Sequence, residues 1–141
     1  MNKRELKSLI FAVGGKLSHK DSYGEGAIKR ALGRLNIKYK TESLHNLHKY
    51  DPQVYWSRFD FYLPEHRTVI EFNGSQHYKR NPKLQKTEYC FIHQQKRDEA
   101  QRQYCKNNNI VLITIRFSAL RKGFTKNLQT AILSGKSCEL I

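Results

Sequence analysis

The sequence predicts an α/β fold in which helices flank one mixed sheet of about four strands. Apolar residues recur at helical spacing near the start, middle and end of the chain. Two runs of alternating apolar and polar residues flank a short turn, which is typical of a β-hairpin. The run 110–117 is almost entirely apolar, as in a buried strand. Together these patterns indicate the order αβββαβ with a further C-terminal helix.

The first predicted helix covers 23–35. Ser22 is a suitable N-cap, and Glu25 stands three residues later, as in a capping box. Asn36 is expected to end the helix. A strand over 37–42 should follow it.

The predicted hairpin pairs strands 54–63 and 68–73 across a turn at 64–67. Alternation assigns the side chains to two faces. In the first strand Phe59, Phe61 and Leu63 share one face, and Arg58, Asp60 and Tyr62 share the other; in the second, Ile70 and Phe72 lie opposite Val69, Glu71 and Asn73.

The other segments are assigned by composition and periodicity. Residues 43–53 and 75–90 are polar and predict loops, the second of them mobile. A helix is predicted over 91–107 and another over 124–134, with the buried strand 110–117 between them.

Composition indicates a soluble protein of one domain. We expect a basic N-terminal leader at 1–20, with a short helix at 3–12, and one domain at 21–141. The three cysteines lack paired spacing, which favours a reducing, cytoplasmic setting. No apolar run approaches the roughly 20 residues of a membrane span. No organic cofactor is expected.

Charge points to a polyanionic partner. Lys and Arg number 26 against 12 Asp and Glu, for a net charge of +14. Neutralising phosphates releases condensed counterions, so such a basic domain favours nucleic acid. A solubilising surface and attraction to acidic lipid are the alternatives.

The hairpin places two acids opposite each other. With residues 64–67 as the turn, Leu63 faces Thr68 and Asp60 faces Glu71. Directly paired residues have Cβ atoms roughly 4.5–5.5 Å apart, where two carboxylates repel unless a cation bridges them. Asn73 adds an oxygen donor on the face of Glu71. The pattern therefore predicts a site for a hard divalent ion.

A purely structural role is the alternative for these acids. Asp60 could pair with Arg58 or Arg67, and Glu71 with His77 or a lysine. A register shifted by two residues would also separate the acids.

The segments 60–64 and 69–78 resemble the active-site hairpin of PD-(D/E)XK, or restriction-endonuclease-like, nucleases. The likeness is to the small branch near the very-short-patch-repair endonucleases and related mobile-element nucleases. It covers roughly residues 22–118. In that superfamily a helix carrying a glutamate precedes an Asp-bearing strand, a strand with Glu-x-Lys, a helix and a further strand.

The resemblance implies a metal-dependent phosphodiester hydrolase. Glu25 matches the helical glutamate, Asp60 the metal-bridging aspartate and Glu71 the second acid. These residues would hold Mg²⁺, with Mn²⁺ as a substitute. For Glu25 the capping box is an alternative role, and both roles are compatible.

Asn73 departs from the family pattern because it stands where the Glu-x-Lys lysine is usual. Asparagine offers a carbonyl oxygen but no charge. The cationic role would therefore move to Gln76, His77 or Lys79, with His77 preferred and Gln76 also a catalytic candidate. On the next helix, Asp98 or Arg102 could point toward the site, although ion pairing on a solvated face is the simpler interpretation.

The predicted function is a divalent-metal-dependent DNA endonuclease. DNA rather than RNA is implied by the resemblance, and a homodimer is plausible because double-strand cutting needs two sites. One alternative is a junction-resolving or mobile-element nuclease; another is a nuclease-like binder without activity, or a basic structural protein. The residues expected to grip the backbone are Arg58, Lys79, Arg80, Lys83 and Lys86.

Overall fold

A computed structural model describes residues 22–46, 50, 56–73 and 88–141. Within them the chain is an α+β structure whose five-stranded mixed sheet lies between helices, which confirms the predicted fold class. The elements are α1 (Tyr23–Arg34), β1 (Lys40–Asn46), β2 (Trp56–Leu63), β3 (Thr68–Asn73), α2 (Glu88–Asn107), β4 (Val111–Arg116), α3 (Phe124–Ser134) and β5 (Cys138–Leu140). The predicted leader and its helix at 3–12 lie outside the described residues.

The strands follow one another across the sheet in chain order. The pairs β1–β2 and β2–β3 are antiparallel, whereas β3–β4 and β4–β5 are parallel. A parallel pair needs a crossover connection, usually helical. Here α2 lies between β3 and β4 in the chain, and α3 lies between β4 and β5.

Each face of the sheet has its own apolar core. On the α1/α3 face, Ile28 and Leu128 pack with Ile70 and Ile113. On the α2 face, Phe59, Val69 and Leu112 pack around Cys105 and Tyr104 of α2. Because β4 is covered on both sides, it is apolar almost throughout.

Several predicted elements agree with the structure. Helix α1 begins after Ser22, whose Oγ accepts a hydrogen bond from the Glu25 amide at 3.2 Å. The hairpin turn is a short 3₁₀ segment, Pro64–His66, closed by Arg67 in the left-handed region. Helix α3 has the predicted bounds.

In the described part of the chain, three elements differ from the prediction by more than one residue at an end. Strand β1 is Lys40–Asn46 rather than 37–42, because Ile37 and Tyr39 pack on the α1/α3 core before the strand begins. Helix α2 begins at Glu88, inside the predicted loop 75–90. Strand β5 was not predicted; it is three residues long and gains its order from pairing with β4.

The side-chain faces reverse within β1 and β2. Phe61 packs on the α1/α3 face, whereas Phe59 packs on the α2 face. Residues two apart normally share a face. Glu42, with a φ of 53°, and Asp60 both leave the ladder between these strands, while the pairs on either side keep one register. The prediction that Phe59 shares a face with Phe61 and Leu63 is therefore wrong.

Candidate metal centre

Asp60 and Glu71 face each other where β2 and β3 separate. The backbone ladder between these strands ends at Phe61 and Ile70, one pair before the two acids. Instead, the Asp60 amide donates to Glu71 Oε1 at 2.9 Å, and the Phe72 amide donates to Asp60 Oδ2 at 2.8 Å. The two carboxylates thus accept the hydrogen bonds that backbone carbonyls accept in a regular ladder.

The surroundings of Glu71 disfavour the charged form of its carboxyl. Burial raises the pKa of Glu71 well above its usual value, and the negative charge of Asp60 raises it further. The Asp60 amide opposes the shift, Asp98 adds to it, and Arg58 partly offsets it. A buried carboxyl beside a second acid favours either a proton or a cation.

Two basic side chains of the described hairpin, Arg58 and Arg67, have other acceptors. Arg58 lies 3.4 Å from Glu42 Oε1, and both side chains are about three-quarters covered. Arg67 donates to the backbone carbonyls of Asn108 at 2.8 Å and Asn109 at 3.4 Å, at the opposite end of the hairpin. Arg58 and Glu42 therefore form a charged pair that flanks the acids on β1 and β2.

Glu25 approaches the acids through α1. A Cβ built on its neighbour Gly24 would lie 2.5 Å from the Phe72 ring, so the first turn of α1 sits directly on β3 beside Glu71. Within the described ranges, no three or more His, Cys, Asp and Glu side chains are close enough together to hold a metal ion. The structure thus brings Asp60 and Glu71 together and places Glu25 on the helix turn that packs on β3.

Asn73 and Asp98 line a cavity of about 660 Å³ on the α2 face. Arg102 and Thr114 also line it. Arg102 forms an ion pair with Glu99 at 2.5 Å. Of the two predicted helical candidates, Asp98 is therefore the one that influences the acid pair, because its charge acts on Glu71.

Arg116 is a residue that the sequence did not single out. It ends β4 directly beside Asn73 in the parallel register, and it forms an ion pair with Glu139. Asn73 stands where PD-(D/E)XK nucleases usually have a lysine, and its neighbour on β4 is the cationic Arg116. Only the register of β3 against β4 gives this proximity, and no local pattern encodes that register.

The other predicted site residues lie outside the described part of the chain. They are Gln76, His77, Lys79, Arg80, Lys83 and Lys86.

No protein-family model matches the chain. The chain is similar to Uncharacterized protein 307L of Invertebrate iridescent virus 6, with 41% identity over 59 residues. It is also similar to Uncharacterized protein 033L of Invertebrate iridescent virus 3, with 34% identity over 59 residues. Each match covers 42% of this chain and only 30% of the relative.

These relatives connect the chain to two viral proteins whose names state no activity. Because the matches cover less than a third of each relative, they do not assign the chain to a family. In the described segments, no helix has the length and apolar character needed to cross a bilayer.

Proposed function

We propose that this protein is a divalent-metal-dependent DNA endonuclease with its centre at Asp60 and Glu71. The supporting observation is that backbone amides hold the two carboxylates side by side at the point where β2 and β3 separate. Glu71 accepts from the Asp60 amide, Asp60 accepts from the Phe72 amide, and the negative charge of Asp60 raises the pKa of Glu71. Such a pair suits a hard cation with oxygen ligands.

The donor set fits Mg²⁺, with Mn²⁺ as a substitute. Bound there, the ion would lower the pKa of a water molecule and stabilise charge on the scissile phosphate. Asp60 and Glu71, whose carboxylates are held by backbone amides, would bind it, and Glu25 on α1 is the proposed third ligand. His77 and Gln76 remain the proposed groups beside the attacking water.

The charge of the chain supports a nucleic-acid substrate. The net charge of +14 favours a polyanion, and Arg58 stands next to the acid pair. The preference for DNA rests on the resemblance to PD-(D/E)XK nucleases. A homodimer belongs to the same proposal, because cutting both strands needs two such sites.

A second candidate is a nucleic-acid-binding protein that does not cleave. Asn73 favours it, because this residue lines the cavity beside the acids and carries no charge. Arg116, its neighbour in the sheet, is the cation that favours cleavage instead. The two candidates differ in one measurable property, the hydrolysis of DNA.

Incubation of supercoiled plasmid with Mg²⁺, Mn²⁺ or EDTA separates these candidates. We expect nicked or linear product with either metal and none with EDTA. Glu71→Gln and Asp60→Asn should abolish cleavage while leaving the circular dichroism spectrum unchanged. Arg67→Gln, at the far end of the hairpin, is the control and should cut like wild type. Salt-sensitive binding without cleavage under any metal would instead support the binding protein.

A further inference from the structure

A second groove lies on the α1/α3 face, away from the cavity beside Asn73. Its volume is about 590 Å³, and it runs between α1 and the segment that leads into α3. None of the described residues that line it is acidic. We call it the basic groove, because five of the residues that line it are cationic: Arg30, Arg34, Arg121, Lys122 and Lys126.

Two exposed aromatic rings adjoin the basic groove. Tyr23, which lines it, is 66% exposed, and Phe117 is 63% exposed. Their ring centroids lie 5.9 Å apart at an interplanar angle of 45°. Large aromatic rings are usually buried, because transferring them from water is strongly favourable. Their contact with each other leaves most of both rings available to a planar ligand.

The aromatic pair lies at the same edge of the sheet as the acids. Tyr23 precedes Gly24, which packs on the ring of Phe72, and the Phe72 amide donates to Asp60. Phe117 directly follows the last residue of β4, whose end is level with the end of β3. A nucleic-acid strand that extends from the acids across this edge would therefore reach the aromatic pair first and the cations next.

We propose that the basic groove binds a single DNA strand that passes beside Asp60 and Glu71, with an unpaired base stacked on Tyr23 and Phe117. Cations that follow a groove neutralise successive phosphates, and an aromatic face accepts any base by stacking. A duplex would satisfy the cations but not the rings, because its bases are already stacked on each other. This inference concerns binding alone, so it holds for a nuclease and for a protein that binds without cutting.

The first test measures how binding to a single-stranded oligonucleotide depends on salt. It uses the full chain carrying Glu71→Gln, in EDTA, so that cleavage does not interfere. Replacing Arg30, Lys122 and Lys126 with glutamine should lower the slope of log K against log salt by about 2, since each lost phosphate contact on a single strand contributes about 0.7.

A matched variant controls for the change in net charge. The control positions are three exposed lysines near the opposite edge of the sheet, where β3 and β4 begin: Lys38, Lys40 and Lys136. Lys38 lies 3.9 Å from Glu65 in the hairpin turn, and Lys136 precedes Ser137, whose Oγ accepts a hydrogen bond from the start of β4. Replacing these three lysines with glutamine should leave most of the slope in place. Equal slopes for the two triple variants would overturn the proposal.

The second test detects base stacking directly. An oligonucleotide containing 2-aminopurine should lose fluorescence on binding, because stacking quenches this base. Tyr23→Ala should weaken binding on the order of tenfold and remove the quenching, whereas Tyr23→Phe should retain both. Quenching that is unchanged in Tyr23→Ala would contradict the stacking role.

A third arm replaces DNA with vesicles that contain phosphatidylserine. The proposal predicts that the wild type binds the oligonucleotide more tightly than these vesicles at the same salt concentration. A groove variant that lost vesicle binding and kept oligonucleotide binding would identify the groove as a lipid site and overturn the proposal.

Discussion

At the scale of single residues, the site depends on how Glu71 is surrounded. Its carboxyl is held against the Asp60 amide at 2.9 Å, while the Asp60 carboxyl is held by the Phe72 amide at 2.8 Å. These bonds fix the two acids in place without removing their repulsion. Alternation in the sequence predicted that the acids face each other. It did not predict that the ladder stops there, because that requires carboxylates to replace carbonyls as acceptors.

The raised pKa of Glu71 makes stability depend on pH. The folded protein binds this proton more tightly than the unfolded chain does, so the stabilisation is complete below the usual glutamate pKa. It is lost as the pH rises through the raised value. In EDTA, we expect the free energy of unfolding to fall over this window in wild type and to fall less in Glu71→Gln.

Urea denaturation at a series of pH values measures this difference. Glutamine removes the disfavoured negative charge and keeps an oxygen that accepts the Asp60 hydrogen bond. The variant should therefore be the more stable protein at neutral pH. Glu65→Gln, at an exposed acid of the hairpin turn, serves as the control for removing one negative charge. Parallel pH profiles for wild type and Glu71→Gln would contradict the raised pKa.

At the scale of secondary-structure elements, the first turn of α1 packs on β3 beside the acid pair. The predicted helix start at Ser22 is confirmed, since capping uses only neighbouring residues. The reversal of faces at Glu42 and Asp60 could not be predicted, because it couples two strands through tertiary contacts. Strand β5 could not be predicted from local sequence either, since its three residues are ordered by pairing with β4.

The N-cap of α1 can be tested by one substitution. Ser22→Ala removes the acceptor of the Glu25 amide, which should cost about 1 kcal/mol of the free energy of unfolding. Ser22→Asp should restore most of this loss, because aspartate also caps helices. Chemical denaturation measures both changes. An alanine variant as stable as wild type would show that the cap contributes nothing.

Two glycines of α1 give a matched pair of alanine substitutions. A Cβ at Gly24 would lie 2.5 Å from the Phe72 ring, so Gly24→Ala should destabilise the fold by about 1–3 kcal/mol and shift Phe72 beside the acids. A Cβ at Gly33 meets nothing within 4 Å, so Gly33→Ala should stabilise the helix by about 0.5–1 kcal/mol.

Thermal denaturation and plasmid cleavage together report on this pair. Gly24→Ala should lower both the melting temperature and the cleavage rate, whereas Gly33→Ala should leave cleavage unchanged. Similar effects of the two substitutions would mean that packing of α1 on Phe72 does not support the acid pair.

At the scale of the whole molecule, the side chains used by both proposals lie at one edge of the sheet. The ends of β3 and β4 and the start of α1 meet there, with the acid pair on one side and the basic groove beside it. Net charge predicted a polyanionic partner from composition alone. The placement of the cations required the packing of α1 against α3, which the sequence pattern does not contain.

Binding of Mn²⁺ to the protein is the measurement that tests the central claim most directly. Electron paramagnetic resonance of the free ion reports how much Mn²⁺ remains unbound at each protein concentration. We predict that wild type removes Mn²⁺ from solution with at least one ion bound per chain, and that Glu71→Gln and Asp60→Asn do not. Equal binding by wild type and both variants would place any metal elsewhere and contradict the assignment of this centre.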